Sequence, residues 1–178
     1  MRSLVLGGIR SGKSQWAEAA IAESLTPGQP VHYLATGQAA DADPAWSQRI
    51  AAHRDRRPPH WRTVETGDIA TQLRQCPDTP TLIDDIGGWL TAILDHRHGW
   101  QGGSVSGDVD DLLAAVAAFA SPLVLVSPEV GLTVHPATES GRRFADELGT
   151  LNQRLAVVCD QVTLVIAGHP LPIKPARI

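Results

Sequence analysis

The sequence predicts an α/β fold, a single domain over residues 1–178 with a mostly parallel central sheet and helices on both faces. Three observations predict it. Short apolar runs alternate with amphipathic stretches along the chain, the order of successive βα units. Most of those runs are continuously apolar, as parallel strands buried on both faces are. At 178 residues, 43% apolar and 19% charged, the chain has the length and composition for one sizeable core.

The first candidate strand, Ser3–Leu6, runs directly into Gly7-Gly8-Ile9-Arg10-Ser11-Gly12-Lys13-Ser14, and a helix-forming stretch follows. G-x-x-x-x-G-K-S between a strand and a helix is a phosphate-binding P-loop, a context that a chance glycine-rich loop would lack. Gly7 and Gly12 permit the tight turn in which consecutive N–H groups face one phosphate. The start of the helix Lys13–Ser24 adds partial positive charge behind them. Lys13 reaches the β- and γ-phosphates, and the Ser14 hydroxyl is a ligand for Mg²⁺. The fold is therefore expected to be of the P-loop NTPase (RecA-like) type.

Further strands are expected at Val31–Ala35, Thr81–Asp84, Leu123–Val126 and Val162–Ile166, with a shorter one near Arg62–Val64. Leu171-Pro172-Ile173 reads as an edge strand, where proline does least harm. Helices are expected at Ala45–Arg54, Asp68–Gln75, Trp89–Asp95, Asp108–Phe119 and Gly141–Val158, with Asp108 as an N-cap after Gly107. Gly99–Gly107 reads as a loop. Ligands in such sheets bind beyond the carboxyl ends of the strands, so the loops after Leu6, Ala35, Asp84 and Val126 should line the site.

Composition narrows the function. A net charge of −4 argues against a nucleic-acid-binding surface. The two cysteines, Cys76 and Cys159, form no close pair, which fits a reducing compartment better than a disulfide or zinc framework. No apolar run approaches the ~20 residues of a membrane span. The first strand leads into the P-loop, so it is not read as a signal peptide. The expectation is a cytoplasmic nucleotide-binding protein.

Two other segments carry chemistry. Thr81-Leu82-Ile83-Asp84-Asp85 is an apolar strand ending in carboxylates, where a P-loop protein places the acid that holds Mg²⁺. Asp84 is favoured over Asp85, although strands also end in Asp as a turn residue. From Arg49 to Arg62, five arginines and two histidines, His53 and His60, fall within fourteen residues of an otherwise acidic chain. Guanidinium forks suit phosphate oxygens. A histidine among them suits proton transfer or attack on phosphorus, while a solvated basic helix end is the plainer alternative. His96 and His98 lack a convergent third ligand. Glu129, after the fourth long strand, either holds a substrate group or caps its own loop.

With these residues in view, the chain resembles the bifunctional adenosylcobinamide kinase/adenosylcobinamide-phosphate guanylyltransferases of cobalamin biosynthesis over nearly its whole length. The likeness rests on the P-loop with Arg10 and on Tyr33-Leu34-Ala35-Thr36. It continues in Arg49-Ile50, His53, Arg57-Pro58, His60-Trp61-Arg62-Thr63 and Glu65, then in Glu129-Val130-Gly131. Arg143-Phe144-Ala145-Asp146, Gly149 and Asn152-Gln153-Arg154-Leu155 complete it. The resemblance implies two reactions. ATP or GTP phosphorylates the aminopropanol hydroxyl of adenosylcobinamide. GTP then donates GMP to that phosphate through a histidine phosphoramidate, the matching residue being His53, and pyrophosphate leaves. The implied nucleotide contacts are Gly7 to Ser14, Ala35-Thr36-Gly37, Arg54-Asp55-Arg56-Arg57, Glu65 and Asp84. Lys13 is implied to act catalytically, and Ser14 and Asp84 to hold the metal. A homo-oligomer, a trimer, is also implied.

Four departures from the family pattern stand out. Ala52-His53 replaces paired histidines, Asp84 stands where a relative carries Glu, Asp85 where Cys is frequent, and Pro128 where Asn precedes Glu-Val-Gly. The last removes a side-chain hydrogen bond near the site. Two rival readings share the P-loop: a small-molecule kinase without nucleotidyl transfer, which has no use for His53 among arginines, and a regulatory NTP-binding module, which needs a partner surface that no heptad or long tail supplies.

Overall fold

The computed structural model describes residues 1–36 and 57–175. The elements are β1 (Arg2–Gly7), α1 (Lys13–Glu23), β2 (His32–Ala35), β3 (Arg62–Glu65), α2 (Ile69–Gln75), β4 (Thr81–Asp84) and α3 (Ile86–His96). A 3-10 turn (Gly99–Gln101), α4 (Ser106–Ala118), β5 (Leu123–Pro128), α5 (Glu139–Val158), β6 (Gln161–Ile166) and β7 (His169–Lys174) follow. The seven strands form one sheet in the order β3-β2-β4-β5-β1-β6-β7. Six are mutually parallel, and β7 runs antiparallel to β6. The register aligns Gly7 with Pro128, Glu65 with Ala35, and Ala35 with Asp84. The loops expected to line a ligand site therefore leave along one edge.

Alternate residues of each central strand enter opposite cores. Leu4, Leu6, Leu34, Ile83 and Leu125 face α2 to α5, whose Ile69, Leu90, Leu112, Leu151 and Leu155 pack onto them. Val5, Tyr33, Leu82, Val124 and Val126 face the other way, onto Ala17 and Ile21 of α1. Both Leu4 and Val5 are wholly buried, which explains why β1 reads as continuously apolar. Each such side chain contributes about 1.5–3 kcal/mol on burial.

Several boundaries differ from the sequence expectation, among them the start of α5 at Glu139 rather than Gly141 and the end of β5 at Pro128 rather than Val126. α3 begins at Ile86 rather than Trp89, because Asp85 caps it: Asp85 Oδ1 accepts from the Gly88 N–H at 2.6 Å. Gly87 and Gly88 concealed this first turn. Asp108 is not an N-cap; α4 starts at Ser106 with Val105 at the cap position. Asp108 instead accepts from Arg97 Nε and Nη2, both at 2.9 Å, so its charge serves a link between α3 and α4. The Gly99–Gly107 stretch contains the 3-10 turn and the first residues of α4. The expected helix Ala45–Arg54 lies outside the described residues.

β7 forms the expected edge around Leu171-Pro172-Ile173, with Pro170 and Pro172 withholding N–H groups from it. Its Lys174 Nζ reaches back to the carbonyls of Ala156 at 2.8 Å and Cys159 at 2.6 Å, capping α5. No described helix is long and apolar enough to cross a membrane.

Candidate active site

The P-loop leaves β1 at Gly7, where a Cβ would stand 2.8 Å from the Val165 carbonyl oxygen and closer still to the Ser11 hydroxyl. Arg10 (φ 56°) and Gly12 (φ 90°) take left-handed backbone, which gives the loop its curl. The Ser11 side chain is turned inward, and its Oγ accepts from the Lys13 N–H at 3.4 Å. Lys13 Nζ folds back over the loop to the Gly8 carbonyl at 3.4 Å. α1 has no side-chain cap and no acidic residue in its first turn, so its positive end is left for an anion. Gly8, Ile9 and Arg10 are exposed beside it.

The loop is supported from behind by the turn between β6 and β7. The Gly168 N–H donates to the Ser11 carbonyl at 2.8 Å. A Cβ on Gly12 would lie 3.2 Å from Gly168 Cα. Ala167 (φ 51°) and Gly168 (φ 80°) are both left-handed, the backbone of a two-residue hairpin turn.

Asp84 ends β4 opposite the start of α1. Its Oδ1 accepts from Ser14 Oγ at 3.3 Å, and its Oδ2 accepts a short hydrogen bond from the Tyr33 hydroxyl. Tyr33 is 1% exposed. Burial first, and then the Asp84 charge, push its phenol well above the ordinary range, so it stays protonated and donates. The Arg57 guanidinium lies over the same ring, 3.3 Å from its centroid, and Arg57 Nη1 donates to Thr63 Oγ1 at 2.9 Å. A continuous line of contacts thus runs Ser14–Asp84–Tyr33–Arg57. Ser14 and Asp84 offer a hydroxyl and a carboxylate, hard oxygen donors of the kind small divalent cations take. No group of three or more His, Cys, Asp or Glu suited to a metal occurs among the described residues.

Thr36 is buried, and its hydroxyl donates to the Asp85 carbonyl. It therefore pins the end of β2 to the turn before α3. Burial lifts the Asp85 carboxyl above its usual range, against the Gly88 N–H bond and with help from Asp84. Glu65 is exposed at the end of β3. Glu129 Oε1 accepts from the Gly131 N–H at 2.6 Å, so it closes its own loop, while its N–H donates to the Gly7 carbonyl at 3.1 Å. The chain places Pro128 against α3: a Cβ on Gly87 would stand 2.7 Å from Pro128 Cγ. Buried Asn152 accepts from Ser127 Oγ at 2.6 Å and donates to the Pro128 carbonyl at 3.0 Å, holding α5 to the end of β5. Gly37, His53, Arg54, Asp55 and Arg56 lie outside the described residues.

Sequence reasoning gave no role to Tyr33, the Ala167-Gly168 turn or Asn152. A Tyr within an apolar strand two residues before its end was the available signal for the first, and Ala-Gly between two strand patterns for the second.

Fold and loop together define a P-loop nucleotide-binding protein of the α/β class. An ATPase of the type III secretion system of pathogenic bacteria has the same fold, covering 92% of this chain at TM-score 0.56 and 11% identity. This chain spans 51% of that ATPase. The sequence profile described as "Cobinamide kinase / cobinamide phosphate guanyltransferase" matches residues 3–173, and the chain belongs to that family. It is 42% identical to the bifunctional adenosylcobalamin biosynthesis protein CobP of Pseudomonas aeruginosa, over 98% of each chain. It is 37% identical to CobU of Salmonella typhimurium and 35% identical to CobU of Escherichia coli. Each of these two alignments covers 98% of this chain and 100% of the relative.

Proposed function

We propose that this chain carries out, as a single domain, both reactions in the family's name. In the first, the aminopropanol hydroxyl oxygen of adenosylcobinamide attacks the γ-phosphorus of ATP or GTP. The bond from that phosphorus to the bridging oxygen breaks, the nucleoside diphosphate leaves, and the hydroxyl proton passes to solvent. In the second, a His53 ring nitrogen attacks the α-phosphorus of GTP and pyrophosphate leaves. The adenosylcobinamide-phosphate oxygen then attacks the guanylyl phosphorus, the P–N bond breaks, and adenosylcobinamide-GDP is released. Splitting the transfer in two lowers each barrier.

The P-loop N–H groups and Lys13 hold the triphosphate and meet negative charge as it develops on the transferring and leaving oxygens. Ser14 and Asp84 would hold Mg²⁺, their hard oxygens on one side of the loop fitting that ion. When bound it would supply charge neutralisation at the phosphates. Ala35, Thr36, Gly37, Glu65 and the Arg54 to Arg57 segment complete the nucleotide contacts. The enzyme works in the cytoplasm, as a trimer.

One observation carries the guanylyl-transfer reading. Arg57, four residues after His53, is stacked on Tyr33, whose hydroxyl holds the Asp84 carboxylate facing Ser14. Arg57 itself is thereby tied through Tyr33 to the acid facing Ser14, a contact that a plain solvated arginine does not require. The test is the intact-protein mass after incubation with GTP and Mg²⁺ without corrinoid. Wild type should gain one GMP, stable in base and lost in acid, and His53→Ala should gain none while still binding GTP. An unchanged wild-type mass with GTP bound would overturn the guanylyl-transfer reading and leave the kinase-only and regulatory readings.

A further inference from the structure

A second concavity lies away from the phosphate loop, a cavity of about 430 Å³ where α3, the 3-10 turn and the start of α5 meet. Thr91, Asp95, Trp100, Thr138, Ser140 and Phe144 line it. Trp100 and Phe144 are each half-buried, one side packed onto the core, so the rest of each ring is left to the cavity. The Trp100 ring is fixed by its Nε1–H bond to Asp95 Oδ1 at 2.5 Å. Arg143 Nη2 donates to the Gly103 carbonyl at 3.1 Å and so ties α5 to the loop that carries Trp100. The two aromatic walls are therefore held in a fixed relation, which cuts the ordering cost of binding.

The lining chemistry selects the ligand. No Lys, Arg or His is among the lining residues, and one carboxylate is, so a second nucleotide or a free phosphate is a poor occupant. Flat aromatic surface beside hydroxyls and a carboxylate suits a broad, weakly polar ring bearing amide N–H donors. The segment from Glu129 to Thr138 joins the nucleotide edge to this cavity, and it carries Leu132 and Val134 78% and 88% exposed. Such apolar exposure fits a large amphipathic ligand.

Separation fits as well. α3 starts beside Asp84 and passes the cavity at Thr91, six residues or about 9 Å along the helix from Asp85. An aminopropanol arm runs about seven bonds from the corrin ring carbon to its hydroxyl oxygen, about 8 Å when extended like a peptide backbone.

Resting on the two-reaction reading above, we propose that this cavity seats the edge of the corrin ring that bears the arm. Trp100 and Phe144 stack on the ring, and Asp95 and Ser140 accept from its peripheral amides. The hydroxyl is thereby delivered toward the P-loop.

The test titrates the full chain with dicyanocobinamide, whose corrin absorption overlaps tryptophan emission, and follows fluorescence quenching. Covalent guanylylation by GTP without corrinoid and the oligomer mass are measured on the same proteins. Phe144→Ala and Trp100→Ala should each weaken corrinoid binding about tenfold. Trp100→Phe should keep affinity within about threefold, since it retains a stacking face, while losing much of the quenching. Guanylylation and oligomer mass should not change in any of them. Corrinoid affinity unchanged in both alanine variants overturns the assignment while leaving the two-reaction reading intact. So does a joint loss of guanylylation or a change in oligomer mass, which would make the cavity structural or a contact between copies. A wild-type protein that neither binds cobinamide nor takes up GMP overturns the two-reaction reading, and the cavity's assignment with it.

Discussion

Replacing Tyr33 by Phe removes one hydroxyl and leaves the ring under Arg57 in place. The lost bond is charge-assisted, since a phenol donates to the Asp84 carboxylate, and such bonds contribute about 1.5–3 kcal/mol. Tyr33 is 1% exposed, so water does not replace the donor from the ring side. Asp84 is only half-buried and recovers part of its solvation, which puts the net loss near the lower end, about 1.5–2 kcal/mol. For a chain of this size that is a fall in Tm of roughly 3–8 °C.

The pH dependence gives a sharper check. The folded phenol is pushed above its ordinary value by burial and then by Asp84. A raised folded value means the stabilisation is fully present below the unfolded tyrosine range, near pH 10, and is lost as pH rises beyond it, by about 1.4 kcal/mol per unit. Tyr33→Phe lacks this dependence, so the gap between the two proteins should close in urea unfolding between pH 9 and 11. The Cys159 thiol, pushed up to about 12 by burial, loses stability over the same window in both proteins and cancels. A Tm change under about 1 °C, or a gap that stays constant to pH 11, would refute the reasoning.

Three further outcomes are expected. Lys174→Met removes the ammonium from the carbonyls of Ala156, Val157 and Cys159 and should lower the urea-unfolding free energy by about 1–2 kcal/mol through the α5 end. Ala167→Asn should raise stability by about 1 kcal/mol, because Ala167 holds φ 51° and asparagine tolerates left-handed backbone better; a lower Tm would count against it. Asp160 is held below the usual carboxylate range, first by its Arg2 side-chain bond and then by the Arg2 N–H. That stabilisation is present at neutral pH and lost as pH falls through the folded value. Asp160→Asn should therefore be less stable than wild type at pH 7 and equal to it near pH 2, by thermal unfolding.

The parts of the fold legible in the sequence were those decided locally. β1, β4 and β5 are continuous apolar runs because both their faces are covered, and the G-x-x-x-x-G-K-S loop announces itself by residue type and spacing. The start of α3 was hidden because helix propensity argues against Gly87-Gly88. What overrides it is the Asp85 cap, and glycine is kept at 87 because Pro128 on another strand leaves no room for a Cβ. Asp108 looked like a cap, but its Arg97 partner, eleven residues away, put it to other use. Asp84 was legible as an acid at a strand end. That Tyr33, fifty-one residues earlier, would orient it depends on β2 pairing with β4 and is written in no short window. His53 and Arg54 to Arg56 fall among residues the structure does not describe, so their standing comes from sequence and family alone.

The β6–β7 hairpin looks dispensable from outside, with Leu171 and Ile173 both 55% exposed and two prolines on the outermost strand. Surface turns of this kind are ordinarily where engineers graft tags or trim a scaffold. Here the turn's Gly168 braces the P-loop from behind, its N–H donating to the Ser11 carbonyl and its Cα close against Gly12. An epitope inserted at 167–168 would register as lost grip on the triphosphate, with every residue of the phosphate motif unaltered.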